Sequence, residues 1–145
     1  MSKHRILVID DEEQLALLWE EVLEPFGYDV TSQTNSVEAL KEVCAKPYKF
    51  DLVISDINMP NVTGDELAQK LLRIRPDIPI ILCTGFTERV TEEKAKEMGV
   101  REFLRKPIMI HDFVNTVRKV LDQPSEDYSL RPSAANVAEG VAECG

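Results

Sequence analysis

Residues 52–60 read LVISDINMP. Four apolar or small residues, Leu52 to Ser55, lead into Asp56, and the loop-forming run Ile57-Asn58-Met59-Pro60 follows. A short, continuous apolar run is the pattern of a strand covered on both faces. A carboxylate at the end of such a strand is unfavourable unless something compensates its charge.

The pattern recurs on either side. RILVI (5–9) is another apolar run, DLVIS (51–55) covers the quoted strand, IPIILC (78–83) is a fourth, and EFLR (102–105) a fifth. The second, YDVTSQ (28–33), is more polar and is expected nearer an edge. Between them lie helical periodicities. Leu15, Leu18, Trp19, Val22 and Leu23 form one stripe, ended by Pro25 and Gly27. Asn35 and Glu38 resemble a capping box opening a helix with Val37, Leu40 and Val43 inward, closed by Pro47. A third helix runs from about Gly64 to Arg75, with Leu67, Leu71 and Ile74 inward and Pro76 as stop. Residues 88–98 are helical in composition with a thin apolar stripe, and Gly99 is their expected C-terminal cap. Phe113, Val114, Val117, Val120 and Leu121 mark the last helix.

Strand and helix therefore alternate five times. Right-handed crossovers between parallel strands follow, giving a three-layer, doubly wound α/β sandwich. Residues 1–123 are expected to form this domain. Residues 124–145 have few large apolar residues and four acids against one base, the composition of a flexible tail.

Composition excludes several roles. The chain has 145 residues, 43% hydrophobic and 30% charged, with no apolar run long enough for a membrane span. The N-terminus lacks a signal-peptide pattern, so a cytoplasmic location is expected. A net charge of −9 disfavours direct contact with nucleic acid. The three cysteines are too few and too scattered for a disulfide framework or a metal motif, and Cys83 reads as a core residue. The six glycines form neither a dinucleotide-binding nor a Walker-type phosphate loop.

In doubly wound sheets the chemistry collects at the carboxyl ends of the strands. The first strand ends in Asp10 and Asp11, the third in Asp56, the fourth in Thr84 and the fifth in Lys106. Singly, each has an ordinary reading: helix cap, turn, strand end, solvated lysine. Together, if the first strand lies beside the third, they converge. Three carboxylates in one cleft repel one another and call for a cation. All-oxygen ligands suit Mg²⁺, and no His or Cys cluster suggests zinc. An ion, Lys106 and the Thr84 hydroxyl would receive a phosphoryl group, with Asp56 as nucleophile.

The runs ILVIDDEE (6–13), DLVISDINMPNVTG (51–64), PIILCTGF (79–86) and EFLRKPI (102–108) together resemble the receiver domain of two-component response regulators, over roughly residues 4–122. The resemblance implies a flavodoxin-like sheet with strand order 2-1-3-4-5. It implies Asp56 as phosphoacceptor from a histidine kinase or phosphotransfer protein. Asp10 and Asp11 match the acidic pair that binds Mg²⁺, and Asn58 the residue whose backbone carbonyl completes the metal shell. Lys106 matches the lysine that pairs with phosphoryl oxygens, Thr84 the hydroxyl that moves toward them, and Phe103 the aromatic that follows it. Lys106-Pro107 matches a cis peptide. Such a domain is a switch that promotes only its own phosphorylation and dephosphorylation and then acts on a downstream protein. It can also be the receiver of a hybrid kinase or a phosphorelay intermediate. An aspartate-nucleophile phosphatase ranks low, because that nucleophile typically ends the first strand. Phe86, two residues after Thr84, is expected to lengthen the life of a phospho-form by hindering water.

Overall fold

In the computed structural model, which describes residues 3–85 and 90–122, the quoted stretch opens as β3 (Leu52–Asp56), a strand with every residue buried. Around it lie β1 (Arg5–Ile9), β2 (Asp29–Gln33), β4 (Ile80–Thr84) and β5 (Glu102–Arg105). The sheet is parallel throughout, in the order β2-β1-β3-β4-β5. The expected strand order and fold class are both found. Phe86 and residues 123–145 lie outside the described residues, as does the start of segment 88–98.

The helices are α1 (Glu13–Leu23), α2 (Ser36–Ala45), α3 (Gly64–Ile74), α4 (Glu92–Met98) and α5 (Ile110–Asp122). Alternation along each strand sends its side chains to two cores. Leu7, Ile9 and Val53 face a cluster with Ala39 and Val43 of α2, Leu67, Leu71 and Ile74 of α3 and Ala95 of α4. Ile6, Val8, Leu52 and Ile54 face the other, with Trp19 and Leu23 of α1 and Phe113, Val117 and Val120 of α5. The Trp19 and Phe113 rings stack with centroids 4.0 Å apart, joining α1 to α5.

Local signals account for most boundaries. Asn35 Oδ1 accepts from the backbone N of Val37 at 2.9 Å and of Glu38 at 3.1 Å, capping α2 as expected. The reciprocal capping box lies instead at Thr63 and Glu66, at the start of α3. Gly99 takes the left-handed conformation (φ 111°) that ends α4. The expected stripe of α1 is largely found: Trp19 and Leu23 are buried, Val22 packs against the same core and Leu15 is half-buried. Ala16, Trp19 and Leu23 are its buried residues, whereas Leu18 is 38% exposed. Leu15, Leu17 and Leu18 are consecutive enough that periodicity alone does not fix which flank meets the sheet.

The chain turns back on itself at β1, with β2 on one side and β3 on the other. The crevice at the carboxyl ends of β1 and β3 is the place where such sheets bind ligands.

Candidate functional site

Two strand ends supply three carboxylates. Asp56 is the last residue of β3 and is 6% exposed. Asp10, just past β1, is 3% exposed, and Asp11 is exposed. One carboxylate oxygen from each of the three lies within 4.8 Å of the others. β1 and β3 are neighbours in register, Ile9 opposite Ser55, which brings these ends together.

Asp10 has two further duties. Its Oδ1 accepts from the backbone N of Glu12 at 2.9 Å, setting the turn into α1. Its Oδ2 accepts from Lys106 Nζ at 3.4 Å. The capping and site roles therefore coexist in one side chain.

Lys106 arrives from the adjoining edge. β4 pairs with β5, Thr84 opposite Arg105, and the Lys106 backbone N donates to Thr84 O at 2.7 Å. The Lys106–Pro107 peptide is cis, as the resemblance implied. Lys106 Nζ lies 3.4 Å from Asp56 Oδ1 as well as 3.4 Å from Asp10 Oδ2. One ammonium thus answers two of three carboxylates.

The electrostatics follow from burial and this shortage of positive charge. Burial pushes the Asp56 carboxyl up to about 6. Lys106 opposes that shift, and Asp10 and Asp11 add to it. Burial also opposes the charge on Lys106, but Asp56 and Asp10 together outweigh it and hold that pKa above its ordinary value. Two buried polar atoms of the site have no hydrogen-bond partner among the described residues: Asp56 Oδ1 and Thr84 Oγ1. Unpaired buried polar atoms are uncommon in folded proteins, and they suit a ligand that brings both a cation and acceptor oxygens.

The remaining assignments fall as follows. Asn58 is exposed in the loop after β3, between the buried Ile57 and Met59. Phe103 is 8% exposed, its ring covered by the Arg105 guanidinium 5.6 Å from the centroid. Gly64 packs directly on the loop. A Cβ there would fall 2.8 Å from Ile57 Cα, closer than real atoms allow. The sequence reading had no signal for Ser36. Its hydroxyl is buried and donates to the carbonyl of Pro60 at 3.1 Å.

Residues 6–118 match the protein family described as the response regulator receiver domain. The response regulator receiver protein CpdR of Brucella abortus is 32% identical over 117 residues, covering 81% of this chain and 96% of that protein. The C4-dicarboxylate transport transcriptional regulatory protein DctD of Rhizobium meliloti is 32% identical over 143 residues, covering 97% of this chain but 31% of that protein. The chain thus spans less than a third of DctD and nearly all of CpdR. Among solved structures, a response regulator receiver domain protein from Clostridium thermocellum superimposes with a TM-score of 0.77 at 28% identity, covering 82% of this chain and 94% of its own.

Proposed function

The chain belongs to the response regulator receiver domain family, and from that premise we propose that Asp56 takes a phosphoryl group from a histidine kinase or phosphotransfer protein. The observation that carries this reading is the Asp56 carboxylate itself. It is buried, held beside Lys106 at 3.4 Å, and grouped with Asp10 and Asp11. Proteins of this family are phosphorylation-activated signalling switches of two-component systems.

Asp10, Asp11 and Asp56, with the backbone carbonyl of Asn58, would hold Mg²⁺. The all-oxygen donor set fits a hard divalent ion and offers zinc no nitrogen or sulfur. When bound, the ion supplies positive charge to the oxygens of the transferring group. Asp56, ionised above about pH 6 despite its raised pKa, attacks phosphorus with a carboxylate oxygen. The bond from phosphorus to the donor nitrogen breaks, and the electron pair leaves with the imidazole. The product is an acyl phosphate on Asp56. Lys106 then pairs with a phosphoryl oxygen, and the unpartnered Thr84 hydroxyl donates to another. Moving Thr84 would open space that Phe103 can enter from its present, partly covered position.

The reaction is a single stoichiometric transfer onto the chain, so we assign a switch rather than an enzyme with a separate substrate. Among the described residues no helix is long and apolar enough to cross a membrane. We place the protein in the cytoplasm with its kinase, acting on a downstream protein and not on nucleic acid. On composition we assign residues 1–123 to the domain, and residues 124–145 lie outside the described structure. Reduction of the phosphorylated chain with borohydride, followed by peptide mapping, tests the acceptor. Conversion of residue 56 to homoserine supports the reading, and modification elsewhere contradicts it.

A further inference from the structure

Ser36 occupies the first position of α2, where capping does not require it. Asn35 already answers the first free backbone donors, those of Val37 and Glu38. The Ser36 hydroxyl is nevertheless buried, at 4% exposure, and it donates across the gap between elements to Pro60 O at 3.1 Å. A buried hydroxyl is retained at a cost unless it is bonded, so this contact is what makes serine acceptable there.

Pro60 belongs to the loop of residues 57–63 that follows Asp56. The loop is held at its start by the sheet: Ile57 N donates to Cys83 O at 2.9 Å, and Ile57 O accepts from Gly64 N at 2.9 Å and Met59 N at 3.0 Å. Met59 then enters the core at 6% exposure. Beyond Met59 the chain turns sharply, with Asn61 in the left-handed region at φ 70°. The acceptor at this corner is Pro60 O, which takes the Val62 N at 2.8 Å and the Ser36 hydroxyl. The entry of the loop is fixed by β3 and β4, and its corner is fixed by α2. Asn58 sits between the two anchors.

We propose that Ser36 is a positioning residue for the metal site: by fixing the Pro60 carbonyl it sets the backbone of Asn58 for the ion. This rests on the reading of Asp10, Asp11 and Asp56 as the Mg²⁺ site. Groups that orient the ligands of a metal ion contribute to its affinity without touching the ion. Loss of one such hydrogen bond weakens Mg²⁺ binding about three- to tenfold while every carboxylate stays in place.

Calorimetric titration of the full chain with MgCl₂ tests this with four proteins: wild type, Ser36→Ala, Val43→Ala and Asp11→Asn. Val43 lies on the same helix at 1% exposure, so its truncation loosens α2 without removing the hydroxyl. The expected result is a threefold to tenfold higher Kd for Ser36→Ala, with Val43→Ala within twofold of wild type. Equal affinity for Ser36→Ala and wild type would overturn the assignment, and so would an equal loss in Val43→Ala. Failure of wild type to bind, or unchanged binding by Asp11→Asn, would instead remove the metal site and the positioning role with it.

Discussion

Lys106 Nζ lies 3.4 Å from Asp56 Oδ1, which accepts no close hydrogen bond among the described residues. The lysine offsets the charge of the aspartate as an ion pair, at a distance beyond an ordinary charge-assisted hydrogen bond. Such an arrangement leaves a carboxylate ionised and free to react. Replacing Lys106 by Met keeps most of the length of the side chain and removes the ammonium. Phosphoryl uptake from a small donor is expected to slow about 100-fold or more, as when one preorganised charge is taken from a transition state. A mass-resolved time course against wild type measures it.

The raised pKa of Asp56 makes stability depend on pH in a stated direction. Its folded value, about 6, lies above its ordinary value of 3.8. The folded chain therefore holds the proton more tightly than the unfolded chain. Without divalent ions, the Asp56 contribution to stability falls as pH rises from about 4 to 6, and the loss levels off above that. Asp56→Asn has no such carboxyl and is expected to be more stable than wild type by about 1–3 kcal/mol at pH 7. The gap closes at pH 4. Urea denaturation in EDTA at the two pH values reads both quantities, and added Mg²⁺ should narrow the gap at pH 7 by stabilising wild type.

Thr84 Oγ1 is buried with no partner among the described residues, so deleting the hydroxyl breaks no bond seen there. Thr84→Val is expected to leave the folding free energy within about 1 kcal/mol of wild type or to raise it. The same change should abolish the phosphorylation-dependent shift of the Phe103 ring resonances in NMR spectra. Stability and response are thereby separated at one residue.

Gly64 allows the N-terminus of α3 to lie against the backbone that follows Asp56. Gly64→Ala inserts a methyl where the neighbouring atoms are backbone, not a flexible side chain that can move aside. A loss of about 2 kcal/mol or more is expected in urea denaturation. Mg²⁺ affinity should fall as well if Asp56 holds the ion as proposed, since the displaced atoms are the backbone of Asp56 and Ile57.

The strands and their ends were legible because a strand covered on both faces leaves an unmixed apolar run, and its last polar residue stands out against that run. Asp56 and Thr84 were visible on this ground, and Lys106 by its place after EFLR. Convergence of the ends required the strand order, which alternation alone does not specify. Leu18 departs from the expected stripe of α1 because residues 15–18 are an unbroken apolar run and only tertiary packing chooses among its members. Ser36 gave no signal. A serine beside an N-cap asparagine reads as local helix chemistry, and its actual partner, Pro60, is 24 residues away.

The most direct test is the intact mass of the chain after incubation with Mg²⁺ and acetyl phosphate, beside Asp56→Asn and an EDTA control. One added phosphoryl group on wild type, absent from both controls, is the expected result. An adduct that persists in Asp56→Asn, or wild type that stays unmodified with acetyl phosphate and with a phosphorylated histidine donor alike, would contradict Asp56 as the acceptor.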